Sequence, residues 1–435
     1  MQSISPAHLP SLIALWKKWQ AQSHRPPLDR WLKRELAGQP TALALGAAMH
    51  QAMRFLQLAA ALELAYREDN PQQDWLVWDQ DWHRDRNIPP LAFWYWVMLR
   101  LTENKSSCTP PAGLRDATER QAFFVRFVRH LRLEDNAILQ PESLLWFGLR
   151  PQWVPLLVER QKHSGWSQQQ LAQFVRLQTV SPPLWLRLSP QMSAEQLAEH
   201  LAAEGVRVAL SEQGLCARGG TDVTRSSAYR QGQIEIQDLA SQQLAAAVKA
   251  KPGDKVWDAC AGAGGKSLAV AAPMNNKGML LATDLHPHKL EELKRRARRA
   301  GLFNIRSFAW AGDTPLQLPK EVARQGGFDW VLVDAPCSSS GTWRRNPDAR
   351  WRFSPEDSAD LQQLQSRLLH HASEAVRPGG HLVYGTCSWQ WSENEAQVAA
   401  FVAGHPQFVC LEQRCLGAPE ADADTLFVAI LQRRD

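Results

Sequence analysis

From about residue 240 the chain alternates short β-rich apolar runs with helical stretches. That rhythm leaves room for little besides a mostly parallel sheet with helices on its faces, an α/β fold. The expected strands cover residues 256–260, 279–283, 304–309, 328–333 and 381–385, with 426–431 as a last one. Residues 237–248 read as a lead-in helix. Each of the first five strands runs into chemically marked residues. They are Asp258 and Cys260, then Asp284, then Asp313, then Asp334-Ala-Pro-Cys337, then Thr386-Cys387. In an open α/β sheet, ligands bind just past the carboxyl ends of the strands, so these residues are the candidates for function.

Two constellations stand out. The run Cys260, Ala261, Gly262, Ala263, Gly264, Gly265 and Lys266 follows a strand and opens a helix. Its glycines let the backbone approach a ligand closely, and a helix N-terminus offers free N–H groups. Some 20 residues on, Asp284 ends the second strand, where nucleoside-binding sheets hold ribose hydroxyls. With Asp313 after the third strand, the set points to an adenosine-type ligand. The plainer account is a group of turn glycines and helix-capping aspartates. A Walker-type phosphate loop is disfavoured by the spacing before Lys266.

The second constellation is a pair of thiols. Neighbouring strand ends in a parallel sheet lie about 5 Å apart, so Cys337 and Cys387 can face one pocket beside Asp334. A thiol attacks only as thiolate, which a nearby cation or a helix N-terminus favours. Buried structural cysteines are the alternative, since free Cys is often buried.

At 435 residues the chain needs two or three domains. Residues 1–135 read as an all-helical N-terminal domain, with helices expected over 41–65, 91–101 and 117–133. The last carries Arg126, Arg129 and Arg132 on one face, either solvated or holding phosphates. Residues 136–240 read as a small α+β extension, either gripping an RNA backbone through its basic loops or simply extending the following domain. It comprises a strand near 184–189, a helix over 192–202 with Ser193 and Gln196 spaced for a capping box, a strand over 206–210, and a turn at 217–221. Residues 241–435 form the α/β domain. The net charge of +5 permits an anionic partner. Seven cysteines at irregular spacings, none in a C-x-x-C pair, fit a reducing compartment and give no reason to expect a metal. No basic leader or membrane-length apolar run is present, so a cytoplasmic monomer without membrane contact is expected.

Residues 258–266 (Asp-Ala-Cys-Ala-Gly-Ala-Gly-Gly-Lys), 334–342 (Asp-Ala-Pro-Cys-Ser-Ser-Ser-Gly-Thr), 344–348 (Arg-Arg-Asn-Pro-Asp) and 384–388 (Tyr-Gly-Thr-Cys-Ser) together resemble the Fmu/Sun/Nop family of RNA cytosine-C5 methyltransferases. The resemblance runs from about residue 182 to the end. It departs in the glycine loop, where Gly262 and Ala263 stand in place of Ala-Pro.

The resemblance implies a class I methyltransferase fold, Rossmann-like with a mostly parallel sheet, and S-adenosylmethionine as cofactor. It implies RNA as partner, ribosomal RNA favoured and transfer RNA the alternative, with a NusB-like domain at the N-terminus. By the same resemblance Cys387 attacks cytosine C6, and Cys337 assists later proton removal and release. Asp334 holds the base near N3, residues 260–266 surround the methionine part of the cofactor, Asp284 binds its ribose and Asp313 its adenine. Lys266 reaches both cofactor and active site. A flipped or single-stranded target is expected. Among the arginines, Arg344, Arg345, Arg350 and Arg352 are expected to touch phosphates, while residues 294–299 read as a solvated basic helix face. Two rivals remain: a non-catalytic RNA-binding relative, and a nicotinamide-dependent oxidoreductase, which leaves the two thiols unexplained.

Overall fold

The structure is a computed structural model that describes residues 4–22, 25–84, 86–103, 108–190, 192–217 and 221–435. The expected turn at 217–221 falls mostly outside them. The chain divides into two compact units. One comprises Met1–Ser181 with Trp343–Arg352, the other Pro182–Thr342 with Phe353–Asp435.

The first unit is helical. Its most buried helix, Pro90–Thr102, starts on a proline and buries every residue from Ala92 to Arg100. A proline at the first helical position loses no hydrogen bond and presets the backbone angle. The helix expected over 41–65 is two helices, Ala42–Met53 and Leu56–Arg67. The break falls where the Arg54 guanidinium turns inward to the carbonyls of His50 and Arg344. The Arg54 carbonyl also packs so close to Gly148 that a Cβ there would lie 2.5 Å from its oxygen. Tertiary contact outweighs helix propensity at that point.

The expected boundary at 135 does not hold. Helices continue through Pro141–Trp146, Val154–Ser164 and Gln168–Leu177. Pro141, Pro151 and Pro155 sit in the first turns of helical segments, so residues that punctuate a sequence begin elements here. Gln168–Leu177 begins with a full capping box between Ser167 and Gln170. The one expected further on, at Ser193, is half formed: Ser193 Oγ accepts from the Gln196 N–H, and among the described residues Gln196 makes no return bond to the Ser193 backbone.

The segment Trp343–Arg352 belongs to this unit. Trp343 stacks on Trp153 with centroids 4.7 Å apart, and Trp351 meets Trp82 edge-on at 5.5 Å. Arg350 is fully buried and donates to the carbonyls of Gly148, Gln178 and Trp343 at 2.6, 3.2 and 3.1 Å. Arg344 is buried with its Nε on the Val180 carbonyl at 3.2 Å, and Arg352 pairs with Asp348 at 3.0 Å. Arg344 and Arg350 are therefore not the surface phosphate contacts expected of them. A guanidinium fork satisfies several carbonyls at once, and charge pattern alone does not separate that use from a solvent-facing one.

The second unit holds two sheets. The small one comprises β1 (Leu184–Leu188), β2 (Val208–Ser211), β3 (Gly214–Ala217) and β4 (Ile234–Ile236), in the order β2-β3-β1-β4. β1 pairs antiparallel with β3 and β4, so β1 and β2 are not the neighbours that a plain β-α-β unit would make them. The helix Ala194–Ala203 covers one face through Leu197 and Leu201.

The large sheet contains β5 (Lys255–Asp258), β6 (Met279–Asp284), β7 (Ile305–Ala309), β8 (Phe328–Asp334), β9 (Val376–Thr386), β10 (Phe408–Gly417) and β11 (Thr425–Arg433). Their order is β10-β11-β9-β8-β5-β6-β7. The five strands from β7 to β9 run parallel, and β11 runs antiparallel between β9 and β10. Alternate residues serve opposite faces. Val256, Leu280 and Leu332 enter one core, while Trp257, Leu281 and Val331 enter the other. Strand order reverses at β5, which lies between β6 and β8, and the crevice at such a reversal is where ligands bind. Among the described residues, no helix is long and apolar enough to cross a membrane.

Candidate active site

The strand register brings the marked residues together. Asp334 ends β8 opposite Gly385 of β9, and the next residue, Ala335, donates its N–H to the Gly385 carbonyl at 2.8 Å. Cys337 and Cys387 therefore lie side by side, with their sulfurs 3.3 Å apart. Gly341 donates its N–H to the Cys387 carbonyl at 2.9 Å, which folds the loop after Cys337 back over the end of β9. Ser339 adopts a left-handed backbone (φ 56°), and its Oγ lies 3.4 Å from the Cys387 sulfur. Strained backbone of that kind persists only where its surroundings fix it.

The two thiols are not equivalent. The Cys387 thiol is held below its usual range, first by the hydrogen bond from Cys337; burial opposes that, while Ser339 and Lys266 assist. Cys337 is pushed well above the usual range, first by the same bond and then by burial. The hydrogen bond between them therefore favours the proton on Cys337 over Cys387. Lys266 Nζ donates to Asp334 Oδ2 at 2.7 Å. Burial works against the ammonium, but the Asp334 carboxylate outweighs it and Lys266 is held above its ordinary value.

The glycine loop is pinned at several points. Ala259 donates to the Leu332 carbonyl and Ala261 to the Thr283 carbonyl, at 2.9 and 2.8 Å. Arg296 donates to the Ala263 carbonyl at 2.8 Å and also pairs with buried Glu235 of the small sheet, as does Arg299. The basic stretch 294–299 is thus only partly a solvated face. Gly264 takes φ +85° with the Leu293 and Leu268 side chains against it, so a Cβ there would clash at 2.5 Å.

Asp284 accepts from the Gly262 N–H at 2.9 Å and the His286 N–H at 2.8 Å, which fixes both oxygens and leaves lone pairs over for hydroxyl donors. Gly262 and Gly265 have open space where a Cβ would stand. Cys260 stays a thiol, pushed well up by burial and then by Asp258, Asp334 and Asp284. An adenosine-bearing sulfonium fits this set: hydroxyl acceptors at Asp284 and an uncluttered backbone cradle. Asp313 is exposed on the turn after β7, which Trp310 closes by donating to the Thr314 carbonyl at 3.0 Å. No hydrogen bond holds Asp313 among the described residues.

Asp258, at the end of β5, was expected only as a strand-end marker. It is fully buried, accepts from Ser267 Oγ at 2.6 Å, and has its other oxygen unpartnered. Burial pushes its carboxyl up to about 7. A carboxyl raised on folding binds its proton more tightly in the native state. Its contribution to stability is therefore full below the unfolded value and lost as pH rises through about 7. Asp258→Asn cannot titrate, so wild type should lose about 2–3 kcal/mol relative to that variant between about pH 5 and pH 8. Denaturant unfolding at the two pH values checks this, and an unchanged difference would refute it.

The polar groups under the Cys337 loop were not anticipated. Glu393, Gln365, Asn394 and Tyr384 are buried there. Their signal in sequence is weak, because an acid just before the helix Glu395–Gly404 reads as a cap.

A parallel sheet that reverses order at β5, with an acidic residue ending β6 and β11 antiparallel beside β9, has the class I methyltransferase fold. Residues 245–425 match the family model described as 16S rRNA methyltransferase RsmB/F. A relative from Bacillus subtilis (strain 168), a "Probable ribosomal RNA small subunit methyltransferase B", is 37% identical over 247 residues, covering 55% of this chain and 54% of its own length. The chain spans about half the length of curated relatives of this kind, 54% and 56% for two of them. Among solved structures, that of PH0851 superposes with TM-score 0.68 at 24% identity, covering 99% of this chain and 100% of the other. NSun6 from Pyrococcus horikoshii, solved with SFG, gives TM-score 0.54 at 17% identity, covering 64% of this chain and 98% of its own. These likenesses establish the fold.

Proposed function

We propose that the protein methylates C5 of a cytosine in RNA, ribosomal RNA in the first instance, using S-adenosylmethionine and a transient bond between Cys387 and C6 of the base. The observation that carries this is the sulfur pair, 3.3 Å apart, beside the Lys266–Asp334 ion pair. Cytosine C5 is a poor nucleophile. Addition of the Cys387 thiolate to C6 forms a carbon–sulfur bond, moves the ring π pair toward C5, and makes that carbon reactive. Bound in the cradle of residues 260–266 and Asp284, the cofactor supplies an electrophilic methyl group.

Asp334 meets the cytosine edge near N3, and the Lys266 ammonium behind it offsets the negative charge that addition places on the ring. With Cys387 bonded to C6, the Cys337 thiol gives its own proton to solvent, and the resulting thiolate takes the proton from C5. The C5–H electron pair then re-forms the double bond and expels Cys387 as thiolate. Asp313 remains the proposed adenine contact. The α+β extension, 182–240, is the proposed RNA-contacting part. An RNA substrate of this kind implies a cytoplasmic enzyme.

Transfer of labelled methyl from S-adenosylmethionine to small-subunit ribosomal RNA, located by bisulfite sequencing, tests the proposal. The expected product is one 5-methylcytosine that depends on Cys387. Label on transfer RNA alone, or on another base, would overturn it.

A further inference from the structure

Glu393 lies in the turn after β9, six residues beyond Cys387, and is completely buried. One carboxylate oxygen accepts from the Ser338 N–H at 2.8 Å and from Gln365 Nε2 at 3.2 Å, and the other from Ser338 Oγ at 2.5 Å. Gln365 also donates to the Pro336 carbonyl at 2.9 Å. Pro336 and Ser338 are the two neighbours of Cys337, so this carboxylate and its partner hold the backbone on both sides of that thiol. Ser338 Oγ further meets Gln390 Nε2 at 2.9 Å, and Tyr384 Oη donates to the Glu393 carbonyl at 2.7 Å. No Lys, Arg or His ion pair reaches Glu393 among the described residues.

Burying an anion without a cation is costly, and hydrogen bonds only partly offset the cost. The hydrogen bonds themselves do not require the charge. A Gln of the same shape would accept from the Ser338 N–H and donate to Ser338 Oγ, so a purely structural turn would lose little by being neutral. The charge has a use in its neighbour: Glu393 is among the groups that raise Cys337.

We propose that Glu393 is a positioning residue for the two-thiol site: its carboxylate clamps the backbone around Cys337, and its negative charge keeps the shared proton on Cys337 so that Cys387 remains the thiolate. The other titratable groups that bear on the pair are Lys266 and Asp334, with Asp258, Cys260 and Tyr384 behind them. Lys266 favours a thiolate at Cys387 and Asp334 opposes it. Glu393 adds a bias from the Cys337 side, through the loop that carries it. The inference rests on the two-cysteine reading of the site, but the labelling arm of its test needs no RNA, so the two can fail separately.

The test is limiting iodoacetamide labelling from pH 6 to 9, with peptide mass spectrometry to divide the label between the two cysteines. In wild type the label should fall on Cys387. In Glu393→Gln the Cys337 share should rise about tenfold, the change that one pKa unit of relative shift produces. Single-turnover methyl transfer should slow while cofactor binding persists. Glu393→Asp restores the charge and should return the label to Cys387. A folded Gln variant with the wild-type distribution would overturn the proposal, and so would an Asp variant that behaves like Gln. Should the Gln protein fail to fold, Ser338→Ala and Gln365→Ala each remove one arm of the clamp. Both should slow transfer with the label still on Cys387, and wild-type turnover in both would equally overturn the idea.

Discussion

Cys387→Ala should reduce methyl transfer to RNA by at least about 10⁴-fold, the scale on which removal of a nucleophile acts, whereas Cys337→Ala should leave the protein joined covalently to its RNA. Both expectations follow from where the proton sits. In the proposed mechanism Cys387, held below its usual range by the Cys337 bond, is the attacking group, and without its sulfur C5 of the base would not be activated. Cys337, held well above that range, arrives as a thiol beside the reacting sulfur at 3.3 Å. Its role comes after methyl transfer, when the C5 proton must leave before Cys387 can. Remove it, and the carbon–sulfur bond to C6 forms but is not released. A denaturing gel resolves the two variants, since a covalent complex survives heat and detergent. An inactive Cys337→Ala protein without adduct, beside a Cys387→Ala protein that forms one, would exchange the two roles.

Gly341→Ala should cost about 3 kcal/mol or more of stability, a size reserved for strong overpacking. It should also remove activity at temperatures where the fold survives. The reason is proximity rather than backbone angle. A Cβ on Gly341 would lie 1.6 Å from the Thr425 carbonyl oxygen and 3.0 Å from the Cys387 carbonyl oxygen. Neither atom belongs to a flexible side chain: one begins β11 and the other follows β9. The loop must lift, and the Gly341 N–H bond to Cys387 goes with it. Chemical denaturation measures the loss, and Thr342→Ala, where no such contact exists at the backbone, serves as the control. A Gly341→Ala protein within about 1 kcal/mol of wild type would show that the close packing is not needed.

The strand ends were legible because their marks are local. A carboxylate, a thiol or a glycine run directly after a β-rich apolar stretch can be read from a dozen residues, and Asp284, Asp334, Cys337 and Cys387 all stand at strand ends or just beyond them. β10 was missed because its middle, Leu411 to Arg414, is exposed and polar apart from Leu411, and it pairs on one side only, with a bulge at Cys410/Glu412. An edge strand of this kind lacks the apolar run that marks β8. Arg344 and Arg350 were misjudged for the opposite reason. Beside the active loop a basic cluster suggests phosphates, yet its partners are carbonyls from residues 148 to 180, which sequence distance conceals. Glu393 escaped notice likewise, since a buried carboxylate and a helix-capping one look alike until the fold brings Ser338 to it.

The ten residues Trp343–Arg352 give the molecule an order of assembly. During synthesis the helical unit emerges first, but its aromatic packing around Trp82 and Trp153 awaits Trp343 and Trp351. About 160 residues separate Ser181 from Trp343. At about 5–20 residues per second the ribosome takes about 10–30 s to deliver them. Through that interval the helices lack the two tryptophans that pack on Trp82 and Trp153 in the finished fold. A version of the gene permuted to make the 343–352 segment early would shorten the wait, and would separate the speed of folding from the final stability.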